Sequence, residues 1–302
     1  MKWRRPPRPL TEKGEERRVG VEIEFSELSL AEAAEIITGI WGGTLEWVHE
    51  QRVKIHTKEL GTFTVELDVE WMQKLAELAK GEGPDDMPFA STAGKMLSPL
   101  VTSVAPNEIV TPPIPMSRLH ELDKLTRAMR LAGAKGTNDS IFYAFGVHLN
   151  PELPTLDAPT ILRYLRAFFA LYDQLKRDMK IDLTRQLTGF SRAFPEAYIE
   201  QIMRPYYNPD INQLIDDYLK YNPTRNRALD LLPLFAWIDE KRVRAVVTDS
   251  LVKKRPTFHF RMPNCRIGDE EWGLAEAWGN WTEVEKLAYN NEKLSSLLQA
   301  YA

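Results

Sequence analysis

Four short stretches set polar and charged residues in alternation with apolar ones. In Val21-Glu22-Ile23-Glu24-Phe25, two glutamates stand two positions apart. On an extended strand they share a face, roughly 6.6–7 Å apart along the chain. Carboxylates so placed can hold one or two hard divalent cations through oxygen; the plainer reading is a solvated acidic face. In Asn107-Glu108-Ile109-Val110-Thr111-Pro112-Pro113, Glu108 stands on a β-rich run closed by a rigid diproline. In Gly146-Val147-His148-Leu149-Asn150-Pro151, His148 faces away from Val147 and Leu149, alongside Gly146 and Asn150. That face suits a ligand groove, although a lone histidine is more often a hydrogen-bonded structural residue. Between Arg255 and Asn264, the residues Thr257, His259 and Arg261 share a face opposite Phe258 and Phe260. Arg261 suits a phosphate or carboxylate held by two parallel hydrogen bonds, or a surface ion pair. A sheet that gathers three carboxylates, a histidine and an arginine is costly to build unless something charged binds there.

The elements that must position these residues follow from periodicity. Arg17–Phe25 alternates and predicts a strand. Ser29 caps a helix over LAEAAEII that Gly39 should stop. Glu46–His49, Gln51–His56 and Thr62–Asp68 read as a meander of short strands. Trp71–Lys80 has helical spacing and a loop follows to Ser98. Asn107–Thr111 predicts a strand, Ser117–Leu131 a helix capped by Ser117, and Ile141–Leu149 a strand. Ala158–Lys180, Ile211–Tyr221 and Arg225–Trp237 read as helices, Thr257–Arg261 as a strand. Glu283–Tyr301 reads as a final helix with Leu287, Leu294, Leu297 and Leu298 on its apolar face. This order predicts an α+β fold with an antiparallel sheet. Residues 1–16 are expected to form a flexible basic leader, and 17–302 a single domain with a mainly helical section over about 158–250. That helical section should shape a substrate entrance, with Arg185, Arg192, Arg204, Tyr206 and Tyr207 near its turns.

Composition narrows the class. The 302 residues carry a net charge of −4, with 30 aromatic residues available to a core, which argues against a dedicated nucleic-acid binder and against disorder. The single cysteine, Cys265, excludes an intrachain disulfide and a multi-cysteine zinc site and suits a reducing cytoplasm. No apolar run approaches the roughly 20 residues that cross a bilayer. No glycine-rich strand-to-helix fingerprint supports a Rossmann or Walker-type nucleotide site.

The segments VGVEIEF (19–25), EIVTPPI (108–114), GVHLNP (146–151) and HFRMPN (259–264), in that order, resemble those of amidoligases in the glutamine synthetase and γ-glutamylcysteine ligase superfamily of carboxylate–amine ligases. FTVELD (63–68) and NPTRNRALDLLPL (222–234) are similar to family features, so the resemblance covers most of residues 17–290. It implies a curved antiparallel sheet of glutamine-synthetase catalytic-core type, with helices packed on its outer face. It also implies ATP-dependent joining of a small-molecule or peptide carboxylate to an amine, through an acyl phosphate, with Mg²⁺ or Mn²⁺. Carried onto this chain, Glu22, Glu24, Glu108 and His148 are the implied metal ligands. His148, Asn150 and Arg225 lie on the nucleotide side, and Arg261 near the transferred phosphate. Asp68 is implied for the amine pocket. One position departs: His259 stands where related ligases have glutamate, two residues before the arginine. The resemblance then implies a second ion that is weakly held, replaced by Mn²⁺, or absent.

Two other readings stay open at this point. A degenerate member of the same fold would bind without turnover. A metal-dependent hydrolase would use the same carboxylates with His148, but the chain has five histidines and no HExxH or paired-histidine motif.

Overall fold

The computed structural model describes residues 2–68, 106–137, 145–180 and 193–301. The helix expected over Trp71–Lys80, the loop to Ser98, residues 141–144, Arg185 and Arg192 lie outside these. Among the described residues a nine-stranded antiparallel sheet runs in the order β2-β3-β4-β5-β1-β7-β9-β8, with β6 beside β1. The strands are β1 (Arg18–Phe25), β2 (Thr44–His49), β3 (Arg52–His56), β4 (Thr62–Leu67), β5 (Asn107–Val110), β6 (Ile114–Pro115), β7 (Val147–Pro151), β8 (Leu229–Asp230) and β9 (His259–Phe260). The protein is α+β with an antiparallel sheet, as the order of elements predicts, and the sheet is curved.

β1 is the axis. Its Val19, Val21, Ile23 and Phe25 are almost wholly buried. They join one hydrophobic cluster that extends from β1 to the last helix. Nine α-helices are described: α1 (Leu30–Trp41), α2 (Leu122–Leu131), α3 (Ala158–Asp178), α4 (Glu196–Met203), α5 (Ile211–Tyr221), α6 (Leu232–Ile238), α7 (Glu240–Arg244), α8 (Leu274–Ala288) and α9 (Asn291–Leu298). α1 lies against β3 and β4, and α8 lies against β7 and α3. Phe258 and Phe260 pack on the Trp281 ring of α8, with ring centroids 5.5 and 5.4 Å away. This anchors β9 by its apolar face.

Several boundaries differ from the sequence reading, each for a local reason. α1 begins with the Ser29–Glu32 capping box but runs through Gly39 to Trp41. Gly42, at φ +66°, supplies the left-handed residue that ends it. Ser117 caps no α-helix. It sits within a 3₁₀ turn, Met116–Glu121, and its N–H and hydroxyl donate to the Glu16 carboxylate. The expected helix over Arg225–Trp237 is a loop and the two-residue β8 before α6 begins. Pro233, in the first turn of α6, fixes the start of that helix. The tail is two helices. The chain leaves the first at Tyr289, and the Asn290 side chain caps the second. Leu287, Leu294 and Leu298 are buried, but Leu297 is exposed. The basic N-terminal segment contacts the rest of the chain at several points. Trp3 Nε1 donates to Asp123 at 2.9 Å, Trp278 Nε1 donates to the Arg4 carbonyl at 2.7 Å, and Leu10 bridges Glu16. Among the described residues no helix is long and apolar enough to cross a membrane.

Candidate functional site

The face of β1 opposite its apolar residues carries Glu22 and Glu24, and both are buried. Register places their neighbours. Glu24 lies opposite Glu108 of β5, and Glu108 opposite Glu66 of β4. On the other side Glu22 lies opposite His148, and Gly20 opposite Asn150. β9 pairs with β7 at Leu149–Phe260, which brings His259 beside Asn150. Three strands expected from alternation, β1, β5 and β7, thus set their polar residues on one surface. β9 adds His259.

The side chains form a connected network. Glu22 accepts from Asn150 Nδ2 at 2.8 Å and from His148 Nδ1 at 2.9 Å. Arg255 Nη1 reaches the same carboxylate at 3.4 Å. Glu24 accepts the Gly146 N–H at 2.7 Å, and its other oxygen lies 3.4 Å from His148 Nε2. Glu22 has both oxygens committed as acceptors, so the amide of Asn150 is oriented with its own oxygen toward His259 Nδ1.

Electrostatics sharpen the picture. Burial alone would raise Glu22. The hydrogen bond from His148 and the Arg255 guanidinium outweigh it and hold the carboxyl well below the usual carboxylate range. Glu108 is pushed well above that range by burial and by the charges of Glu22, Asp68, Glu24 and Glu66. His259 is held well below the ordinary histidine value by burial, reinforced by Arg261. Asp230 of β8, almost wholly buried, is raised to about 6 by burial, against the opposing pull of Arg261, the Leu232 N–H, Arg225 and Arg255.

Two trios offer one ligand atom each, all within 4.8 Å of one another: Glu22 with His148 and His259, and Glu24 with Glu108 and His148. Of the residues singled out in the sequence, Glu22, Glu24, Glu108, His148 and Asn150 come together. Arg261 lies within electrostatic reach of His259 and Asp230. Asp68 bears on Glu108. Arg225 pairs with Asp249 at 3.0 Å and also bears on Asp230. Sequence reasoning missed Arg255, Asp230 and Glu66. Arg255 had a signal: the same-face series Arg261, His259, Thr257 continues back to it at period two.

Comparison with known proteins agrees with this geometry at the level of family. No curated protein and no solved structure matches the chain. A family model described as "Putative amidoligase enzyme" matches residues 15–283, a span that contains every residue of the cluster, and the chain belongs to this amidoligase family.

Proposed function

We propose that the protein is an ATP-dependent carboxylate–amine ligase that works through an acyl phosphate, on a sheet of glutamine-synthetase core type. The observation that carries this reading is the convergence on one sheet face of two trios, Glu24 with Glu108 and His148 and Glu22 with His148 and His259, the ligand atoms of each trio within 4.8 Å of one another. The donor set fits a divalent cation on its own evidence. Carboxylates gathered in a low-dielectric setting repel one another, and Glu108 is raised well above its ordinary range by burial and by those neighbours. His148 donates from Nδ1 to Glu22, which leaves Nε2 facing a Glu24 oxygen at 3.4 Å. A cation between such groups replaces repulsion with attraction. Glu24 and Glu108 would hold one ion and Glu22 and His259 mark a second position; His148, with a single lone pair as a neutral ring, would serve one of the two. The bound ions would supply the positive charge that a triphosphate and a migrating phosphoryl group require.

The chain's own groups do the rest. Arg261, just past the end of β9, presents a fixed positive charge to the phosphoryl group in transfer. Arg225 and Arg255 extend that positive rim. Asn150 orients Glu22 and His259 together. The substrates are a small-molecule or peptide carboxylate and an amine, and a cytoplasmic setting supplies the nucleotide. The test is ADP release over a panel of amino acids, peptides and amines, with the carboxylate labelled by heavy oxygen. One label atom should appear in the released phosphate, because the carboxylate oxygen attacks phosphorus and leaves with it. ADP release without label transfer would remove the acyl phosphate. Nucleotide binding without turnover on any pair would favour the binding-only reading, for which Arg255 on Glu22 and the carboxylate lost at His259 are the motives.

A further inference from the structure

The two trios share His148 but differ in chemistry. Glu24 and Glu108 bring two carboxylates, whereas Glu22 shares its place with two imidazoles. Oxygen-rich sets suit Mg²⁺ and Ca²⁺, while imidazole raises affinity for first-row transition metals along the series that ends at copper and zinc. His259 is tuned for such a role. Asn150 Nδ2 must donate to Glu22, a carboxylate that only accepts, so Asn150 Oδ1 faces His259 Nδ1 and takes its hydrogen. The lone pair is therefore on Nε2, which is buried and has no hydrogen-bond partner. A buried imidazole nitrogen left so is an unmet demand for a donor or a cation. The backing of a ligand ring by a second-sphere amide is the arrangement that fixes tautomer and orientation in metal sites.

We propose that Glu22, His148 and His259 form a transition-metal position, selective for an imidazole-preferring divalent ion such as Zn²⁺ or Co²⁺ over Mg²⁺, beside an oxygen-rich position at Glu24 and Glu108. This rests on the reading of the face as a cation-binding ligase site, and it assigns the two cations to different chemical classes. His259 is thus a selectivity residue in place of a missing carboxylate. The single carboxylate of this trio is faced by Arg255, and Arg261 bears on His259, which leaves the position short of negative charge, so a nucleotide phosphate should tighten it.

The experiment titrates metal-free protein with Co²⁺, with and without a non-hydrolysable ATP analogue, and follows the visible d–d absorption. One Co²⁺ per chain should give a spectrum with nitrogen ligation. Stoichiometric Zn²⁺ should abolish it, and an excess of Mg²⁺ of about 10³-fold should not. His259→Glu should cut the preference for Co²⁺ over Mg²⁺ by at least about tenfold. Asn150→Ala should lower Co²⁺ affinity by about 10- to 100-fold. Displacement of Co²⁺ from the wild-type chain by equimolar Mg²⁺ would overturn the proposal, and that measurement does not depend on any variant folding. A Co²⁺ spectrum unchanged in a folded His259→Glu chain would overturn it too. Selective Co²⁺ binding without ADP release would leave the metal position standing and remove the ligase reading. ADP release with Mg²⁺ alone and no nitrogen-ligated Co²⁺ would do the reverse.

Discussion

Glu24 holds two jobs with its two oxygens. One accepts the Gly146 N–H at 2.7 Å and ties β1 to the start of β7. The other faces His148 Nε2 at 3.4 Å and belongs to the oxygen-rich trio. Glu24→Gln keeps an oxygen for the Gly146 N–H and removes the negative charge. It should leave the fold intact and lower turnover by at least about 10²-fold, because the phosphate loses its counter-ion. The same holds for Glu22→Gln. Circular dichroism checks the fold and steady-state ADP release checks the rate. Full activity in both variants would refute the metal assignment. Arg261 is a charge with a different duty. If it stabilises the phosphoryl group only in transfer, Arg261→Ala lowers kcat while the dissociation constant for ATP stays within about threefold. Equal loss in both would place the guanidinium in ground-state binding.

At the scale of elements, the turn from β8 into α6 is governed by Asp230, whose carboxylate accepts the Leu232 N–H at 2.8 Å. Its pKa rises from 3.8 in the open chain to about 6 in the fold. A raised acid favours the folded state while protonated. That stability is complete below about pH 3.8 and is lost as pH climbs to about 6, a difference of about 3 kcal/mol. Asp230→Asn keeps an acceptor for Leu232 and does not titrate. Urea midpoints should therefore show the variant gaining on wild type through that window, and a flat difference would mean that the arginines fully offset burial. The same junction explains what was legible in the chain. β1, β5 and β7 could be read because their two faces differ in chemistry at period two, and Glu22, Glu24, Glu108 and His148 came with them. β8 has two residues, too few to alternate, so Asp230 was absorbed into an expected helix. Gly39 and Gly42 look alike in sequence, and only the φ of +66° at Gly42 tells which one ends α1. His259 was visible as an odd residue in a familiar pattern, but its buried Nε2 and its Asn150 partner are facts of space.

For the molecule as a whole, the placement of β1 depends on a contact that joins the two ends of the chain. Arg17, just before β1, donates from its two terminal nitrogens to Glu285 of α8 at 2.9 and 2.7 Å, and both side chains are fully buried. The same guanidinium donates to the Glu152 carbonyl beyond β7 at 2.7 Å and to the Arg8 carbonyl at 2.6 Å. Trp281 Nε1 completes the carboxylate at 2.8 Å. One ion pair therefore fixes the incoming segment, the exit of β7 and the last long helix. Nothing in local pattern announces it, because its partners lie 268 residues apart. Taking two charges out of water is costly, so the pair adds little net stability over a well-packed apolar substitute. Breaking it is another matter, since the survivor is left buried and unpaired. Arg17→Met should destabilise the fold by about 3–5 kcal/mol. Arg17→Met with Glu285→Leu should recover most of that, although the Glu152 and Arg8 carbonyls lose their donor in both. Urea denaturation of the two variants reads the difference. If the single substitution costs under about 1 kcal/mol, water reaches Glu285 and the ends of the chain are held by apolar packing alone.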